Sequence, residues 1–200
     1  MISAAKPQIE SFTDQRWPIP TIAQHRDWLC KQTAFGLFEL CAYEYMVHLR
    51  HHGFPSPLLD WSQSPYIAAF FAFNDAKLSV ERVAVYAYLE YAGSGKLGSR
   101  QRASIHTRGP YVSTHRRHFL QRSEYTVCVL NTSDAWRYAP HDEVLSDNEE
   151  GQDIIWKFTM PSTERLHALK LLDRFNLNAY SLFGSEESLM QTVALRTFGD

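Results

Sequence analysis

The sequence feature that most constrains the fold is the stretch 50–76, in which a turn, a short apolar segment and an apolar helix follow in close order. Gly53 and Pro55 punctuate the turn, and Ser64 directly precedes Pro65. A serine oxygen accepts hydrogen bonds from unpaired helix N–H groups, and proline lacks an N–H that would have no partner in the first turn. The sequence therefore predicts a helix that begins at Ser64 and Pro65.

This predicted helix has no polar face, because every residue from Tyr66 to Phe73 is apolar. A helix that is apolar all round is buried in a core, and this one is too short to span a bilayer. Asp60 and Ser62 stand just before its N-terminus, where unpaired N–H groups and the helix dipole favour an anion. These two residues are either caps of the helix or members of a binding site, and the sequence leaves both alternatives open.

The run from His51 to Pro65 resembles the core signature of the FRG domain family. It reads His-His-Gly-Phe-Pro-Ser-Pro-Leu-Leu-Asp-Trp-Ser-Gln-Ser-Pro. The family pattern is approximately Gln-His-x-Gly-x-Pro-Thr-Arg-Leu-Leu-Asp-Trp-Thr-x-Ser-Pro, followed by a helix of small and aromatic residues. Later positions that are similar to the family are Arg117, Gln121, Tyr125 and Ser181-Leu182-Phe183. The resemblance covers residues 48–183, and its first run is the specific part.

The chain departs from the family pattern at several positions. Ser56 and Pro57 stand in place of Thr and Arg, and Gly184 in place of a late Pro. The Phe/Tyr-Arg-Gly motif that names the family is not visible, since Phe35-Gly36 lacks the Arg. The sequence is accordingly interpreted as a fragment, a divergent copy or a degenerate copy of the family.

Length and composition indicate one domain with a substantial core. The chain has 200 residues, of which 44% are hydrophobic and 14% aromatic, and its size fits a single domain. Prolines at positions 7, 18 and 20 predict an irregular N-terminal arm over residues 1–20, with a single FRG-like domain over 21–200. The formal charge of −2 gives no overall attraction to nucleic acid or to a membrane.

Cysteine usage indicates a cytoplasmic location. Cys30, Cys41 and Cys128 are widely spaced and odd in number, which is typical of cysteines that act as small hydrophobic residues in a reducing compartment. Neither a leader sequence nor a run long enough for a membrane helix is expected.

Periodicity predicts an α+β fold with a central, mostly antiparallel sheet and flanking helices. Helices are predicted over 21–35, over 38–52, from Pro161 onward and over 186–195, and strands over 82–91, 125–130 and 154–159. Helices and long loops separate the strands, so a barrel of hairpins is not expected.

Histidines cluster at the end of the second predicted helix. His48 and His52 have a spacing that suits a pair of metal ligands, but no third ligand accompanies them, so no metal is expected. His51 or His52 beside Asp60 is the preferred functional pair, since an imidazole next to a carboxylate can orient a substrate or move a proton.

Positive charge is concentrated in residues 92–123, which contain no Asp or Glu. Such a segment suits phosphate groups of a dinucleotide, a nucleic acid or a phosphorylated partner. Nucleic acid is disfavoured because few aromatic residues interleave with the cations. The alternatives are a solvated surface and pairing with the acidic segment 142–153. The basic residues are Lys96, Arg100, Arg102, Arg108, Arg116, Arg117 and Arg122.

Residues 93–98 fit Gly-x-Gly-x-x-Gly, but this pattern does not predict a dinucleotide-binding fold. No apolar helix opens at these glycines, and no acid follows before Glu124. Hydride transfer is therefore disfavoured, as are nucleoside triphosphate hydrolysis and α/β-hydrolase chemistry, whose motifs are missing.

The segment from Gln121 to Tyr125 enters a predicted strand with an acid, Glu124, near its start. Together with the serine-bearing turn at Ser62 and Ser64, this order is similar to that of ADP-ribosyltransferases, in which a Gln/Glu-x-Glu element opens a late strand. The spacing here is Gln-x-x-Glu, and the early Arg of those enzymes is not identified. We expect residues 60–76 and 121–130 to pack at one cleft.

The analogy implies an enzyme that uses NAD as the donor of ADP-ribose, acting as a bacterial effector, toxin or defence protein. The late Glu of such enzymes stabilises a developing positive charge. The alternative is a non-catalytic module that docks a phosphorylated or acidic partner through the basic segment. The candidate catalytic residues are Glu124, Gln121 and Asp60, and the candidate NAD-binding residues are His51, Trp61, Ser62, Ser64 and Arg117.

Overall fold

The structure is a computed structural model that describes residues 2–31, 40–77, 79–90, 103–109, 112, 114, 116–132, 136–145 and 153–199. Its residues divide into two compact units where the sequence indicated a single domain. Unit 1 comprises Met1–Asp60, Glu90–His115 and Tyr125–Asp153, and unit 2 comprises Trp61–Leu89, Arg116–Glu124 and Ile154–Asp200. The chain passes repeatedly between the units, so their boundaries leave no compositional mark on the sequence.

In chain order the helices and strands are α1 (Ile2–Thr13), α2 (Ile22–Lys31), α3 (Tyr43–His51), β1 (Leu58–Ser62), α4 (Pro65–Asn74), β2 (Arg82–Leu89), β3 (Ala103–Thr107), α5 (Arg117–Leu120), β4 (Ser123–Asn131), β5 (Trp136–Tyr138), α6 (Asp142–Leu145), β6 (Ile154–Pro161), α7 (Arg165–Arg174), α8 (Ala179–Phe183) and α9 (Glu186–Phe198). A short 3₁₀ helix, Ser162–Glu164, leads into α7. Most of β1 and β4 belongs to unit 1, and both strands cross into unit 2.

Unit 1 is built on a four-stranded sheet. The order is β1-β4-β3, with β5 also paired to β4. Strands β3 and β4 are antiparallel, with Ile105 opposite Cys128. Strand β4 is buried at Tyr125, Val127 and Val129, which pack with Val47 and other residues of one apolar cluster. Burial of this continuous apolar run holds the centre of the unit together.

Residues 2–13 form helix α1 instead of the predicted irregular arm, even though Pro7 lies inside the helix. A proline removes one helical hydrogen bond, but contacts elsewhere offset that loss. The Glu10 carboxylate is buried and accepts the backbone N–H of Trp17 at 2.8 Å. Trp17 packs with Tyr45, and Ile9 packs against the same cluster. Because these contacts are long-range, the local proline pattern did not indicate them.

Unit 2 contains α4, a two-stranded ribbon and the three C-terminal helices. Strands β2 and β6 are antiparallel, with Val83 opposite Met160. Val83 is buried in a cluster with Phe70 and Phe73 of α4, Leu169 of α7 and other apolar residues. The apolar run of α4 therefore faces helices and a ribbon within one unit.

The predicted α+β class is confirmed, and strands occur at all three predicted places. The helix predicted from Ser64 and Pro65 is also confirmed, with Ser64 as its N-cap and proline in its first turn. The prediction of a single central sheet is wrong, because the described strands form two sheets. Strand propensity does not say which strands pair, and the strands predicted over 82–91 and 154–159 pair with each other.

Polar contacts of Asp173 connect the three C-terminal helices. Arg196 of α9 donates two hydrogen bonds to its carboxylate, both at 2.8 Å, and the Asn178 amide donates a third at 2.9 Å. Asn178 is the N-cap of α8. The Arg196 guanidinium is the main cause that lowers the pKa of Asp173.

We predict that Asp173→Asn lowers the free energy of unfolding at pH 7 by about 1 kcal/mol, since Arg196 is half exposed and such pairs are screened. The pKa of Asp173 is lower in the folded state than in the unfolded state. Its stabilising contribution is therefore present above the ordinary pKa of about 4 and is lost as pH falls through the folded value. Urea unfolding at pH 7 and pH 3 measures this effect, with Glu164→Gln as the control. A deficit of equal size at both pH values would contradict the prediction.

Candidate functional site

The turn between β1 and α4 uses its two serines for backbone hydrogen bonds. Ser64 caps α4, because its Oγ accepts the N–H of Ile67 at 3.4 Å. The Ser62 hydroxyl accepts the N–H of Ser64 at 3.2 Å and donates to the backbone oxygen of Gln121 at 2.8 Å. Both serines thus fix the geometry of the turn, and their predicted role in binding NAD stays a prediction.

Gln121 follows helix α5 and is almost fully buried, with 5% of its surface exposed. Its backbone oxygen accepts from Ser62, and its side-chain Nε2 donates to the backbone oxygen of Leu182 at 3.2 Å. A buried amide group without a partner would cost about 1–3 kcal/mol. Gln121 therefore joins the turn before α4 to the end of α8.

The C-terminal end of α8 receives side-chain donors at three consecutive carbonyl groups. The Leu182 carbonyl accepts from Gln121. The Phe183 carbonyl accepts from Arg117 Nε at 3.3 Å, and the Gly184 carbonyl accepts from Arg116 Nη2 at 2.6 Å. The Arg117 guanidinium also lies over the Phe183 ring, 5.6 Å from its centroid. Cations are favoured at this end of a helix because its last carbonyls have no helical partner.

These contacts explain the late positions that are similar to the FRG family, since Arg117 and Gln121 contact Leu182 and Phe183. Gly184 ends α8 with a φ of +65°, which a proline cannot adopt. A Cβ at Gly184 would lie 2.7 Å from Arg116 Nη2. The proline of the family pattern would therefore not fit the backbone that ends α8 in this chain.

Glu124 is the one acid in the segment 116–124. It lies near the start of β4, is half-buried, and accepts a hydrogen bond from Gln63 Nε2 through Oε1 at 2.5 Å. Its other oxygen has no hydrogen bond to any residue that the structure describes. The sequence did not single out Gln63, because a glutamine between two serines at a turn is typical of solvent-facing positions.

Residues 60–76 and 121–130 meet within unit 2 through three hydrogen bonds. In addition to the bonds from Ser62 to Gln121 and from Gln63 to Glu124, the Gln63 backbone N–H donates to the oxygen of Arg122 at 3.0 Å. Trp61 of the same unit stacks on Tyr88, with ring centroids 5.3 Å apart. Unit 2 thus contains six of the predicted site residues: Trp61, Ser62, Ser64, Arg117, Gln121 and Glu124.

The other two predicted residues, His51 and Asp60, belong to unit 1. His51 Nε2 lies 2.6 Å from the hydroxyl of Tyr125, a residue with no exposed surface. Asp60 is half-buried on β1. Their assignment to the site stays a prediction.

The His48 ring contacts the rings of Trp17 and His52 in tilted arrangements, with centroid distances of 4.6 and 4.5 Å. Within the described ranges, no group of three or more His, Cys, Asp or Glu side chains is arranged to hold a metal ion.

Several features of the sequence lie outside the described residues. They are Phe35-Gly36, the glycine pattern at 93–98, the cations Lys96, Arg100 and Arg102, and the acids Asp147, Glu149 and Glu150. Of the remaining basic residues, Arg116 and Arg117 bind the end of α8, while Arg122 is exposed.

Unit 2 also has a cleft of about 450 Å³ that the predicted site residues do not line. Its lining includes Phe70, Arg165, Leu169, Thr192 and Phe198, and none of the predicted site residues. Arg165 there donates to the Phe73 carbonyl at 2.9 Å. The cleft is thus a separate feature of the helical part of unit 2.

The fold and these contacts define an α+β protein in which half-buried Glu124, near the start of β4, is hydrogen-bonded to the turn between β1 and α4. Residues 1–80 match the family model described as the FRG domain. The resemblance carried by the run from His51 to Pro65 is therefore confirmed over that part of the chain. No curated protein and no solved structure matches the chain. None of the helices that the structure describes has the length and apolar character needed to cross a membrane.

We predict that Gln121→Ala lowers the free energy of unfolding by about 1–3 kcal/mol, because the Leu182 carbonyl loses its donor and a buried space is left. Gln63→Ala is the matched control, since Gln63 is exposed and its side-chain bond is at the surface. Urea unfolding of both variants measures the difference. Equal stability of the two variants would show that the Gln121 amide does not support the fold.

Proposed function

We propose that the chain uses NAD, or a similar nicotinamide dinucleotide, as a donor of ADP-ribose, and that Glu124 is the catalytic residue. It would act as a bacterial effector or defence protein. The observation that carries the proposal is the 2.5 Å hydrogen bond from Gln63 Nε2 to Glu124 Oε1. This bond ties the acid that opens β4 to the serine-bearing turn, the two elements that the ADP-ribosyltransferase analogy requires to be neighbours.

In the proposed reaction, the bond between the ribose C1′ and the nicotinamide nitrogen breaks. The bonding electrons leave with nicotinamide, which becomes neutral, and positive charge develops on the ribose. An oxygen of water or of an acceptor hydroxyl then bonds to C1′ and releases its proton to solvent. A carboxylate fixed beside the ribose stabilises this charge electrostatically, which is usually the largest contribution to catalysis.

The surroundings of Glu124 suit this task. It is half-buried, so water screens its charge less than at an open surface. The bond from Gln63 restricts one carboxylate oxygen and leaves the other for a substrate. Trp61 and Tyr88 form a stacked aromatic pair in the same unit, and aromatic side chains suit the planar rings of a dinucleotide. The part of the basic segment that lies in unit 2 would contact the diphosphate.

We predict that Glu124→Gln lowers the rate of nicotinamide release from labelled NAD by on the order of a hundredfold, since it removes the negative charge but keeps the size of the side chain. Glu164→Gln, an exposed acid elsewhere in unit 2, is the charge-matched control and is expected to keep the wild-type rate. Release that is absent in the wild type, or equal in wild type and Glu124→Gln, would contradict the proposal.

The second candidate is a non-catalytic module for a phosphorylated or acidic partner. The observation that favours it is that Ser62, Ser64 and Gln121 all use their side chains in backbone hydrogen bonds. In that case the basic segment would act through charge alone, and its affinity would fall with salt.

We predict for this candidate that reversing the charges of Arg100 and Arg102 abolishes binding of a labelled phosphoserine peptide, and that added salt weakens binding to the wild type. Arg116 and Arg117 are left intact, because their bonds to Gly184 and Phe183 support α8. Fluorescence anisotropy across a salt series measures both effects. Binding that does not change with salt would exclude this electrostatic mode.

A further inference from the structure

Arg122 occupies the turn between α5 and β4 in a backbone conformation that arginine rarely adopts. Its φ angle is +49°, in the left-handed region where a side chain crowds the neighbouring carbonyl. Its N–H donates to the oxygen of Phe119 at 3.2 Å, and its own oxygen accepts from the Gln63 N–H at 3.0 Å. Because the turn fixes this geometry, glycine would fill the position with the least strain.

The side chain of Arg122 does not support the fold. It is exposed, and none of the residues that the structure describes forms a hydrogen bond or ion pair with its guanidinium. Arg116 and Arg117, by contrast, donate to the carbonyls of Gly184 and Phe183. Within 116–124, Arg122 is thus the cation that remains available to a ligand, at a position where arginine is the strained choice.

The position of Arg122 also connects it with Glu124. Gln63 contacts both residues, through its backbone N–H to Arg122 and its side chain to Glu124. In a nicotinamide dinucleotide, the diphosphate is attached to the same ribose whose C1′ bond would break. A carboxylate beside that ribose therefore requires a phosphate-binding group nearby, and the guanidinium matches phosphate oxygens with paired donors.

We infer that Arg122 binds the diphosphate of the dinucleotide, an inference that rests on the proposed function. Arg122 is then a substrate-binding residue. Arginine occupies this unfavourable backbone position because its positive charge binds the substrate. Strain of this kind persists where the surroundings enforce it.

The test compares Arg122→Gly with wild type for binding of ADP-ribose, measured by calorimetry, and for thermal unfolding. We expect the variant to bind ADP-ribose at least tenfold more weakly, as for the loss of a charged hydrogen bond. Its unfolding midpoint should rise, since glycine relieves the strain. Arg122→Lys should recover part of the affinity. The control Asn176→Gly, at another left-handed position with φ +60°, should raise the midpoint and leave the affinity unchanged.

Wild-type affinity in Arg122→Gly, or no binding of ADP-ribose by the wild type, would overturn the inference. Nicotinamide release that depends on Glu124 tests the proposed function separately. If nicotinamide is released and Arg122→Gly binds ADP-ribose as tightly as the wild type, the role of Arg122 is overturned and the proposed function is not. Weakened affinity in that variant without any release supports the phosphate contact and overturns the transferase.

Discussion

The structure of unit 2 depends on the hydrogen bonds of one buried residue, Gln121. Its backbone oxygen accepts from Ser62 and its side chain donates to Leu182, so it joins three segments that are distant in the sequence. Helix α8 ends at Phe183, and its last carbonyls, like those of any helix, have no helical partner. Hydrogen bonds to these carbonyls come from the side chains of Arg116, Arg117 and Gln121. Glu124 then follows Gln121 by three positions, so the same anchor fixes where the acid enters β4.

This arrangement separates residues that support the fold from one suited to chemistry. Ser62, Ser64 and Gln121 have the polar groups expected of a binding site, but they use them on the backbone. Glu124 accepts a hydrogen bond from an exposed glutamine side chain, and its other oxygen has no bond to any described residue. A charge held by a rigid turn is prepared for a transition state without further reorganisation. In the proposed reaction, catalysis would therefore rest on a single carboxylate, with the network as its support.

Local signals in the sequence predicted the elements whose causes are local. The pair Ser64 and Pro65 indicated the start of α4, and apolar periodicity indicated β2, β4 and β6. Helix α1 was missed because buried contacts of Glu10 and Ile9 outweigh Pro7. The pairing of β2 with β6, and the contacts between Arg117 and Phe183, join residues far apart in the chain, which no local pattern encodes. For the same reason the sequence named Glu124 but not its partner Gln63.

The proposed catalytic role of Glu124 depends most directly on its interaction with Gln63. A double-mutant cycle for nicotinamide release, with Gln63→Ala and Glu124→Gln separately and together, measures their coupling. Because Gln63 would act only through the carboxylate, Gln63→Ala should slow release in the wild-type background, by about tenfold for one charged hydrogen bond. The same change should have no effect in the Glu124→Gln background. If Gln63→Ala lowers the rate of nicotinamide release equally in the wild-type and Glu124→Gln backgrounds, Gln63 acts independently of Glu124. That result would contradict the proposed role of the Gln63–Glu124 bond.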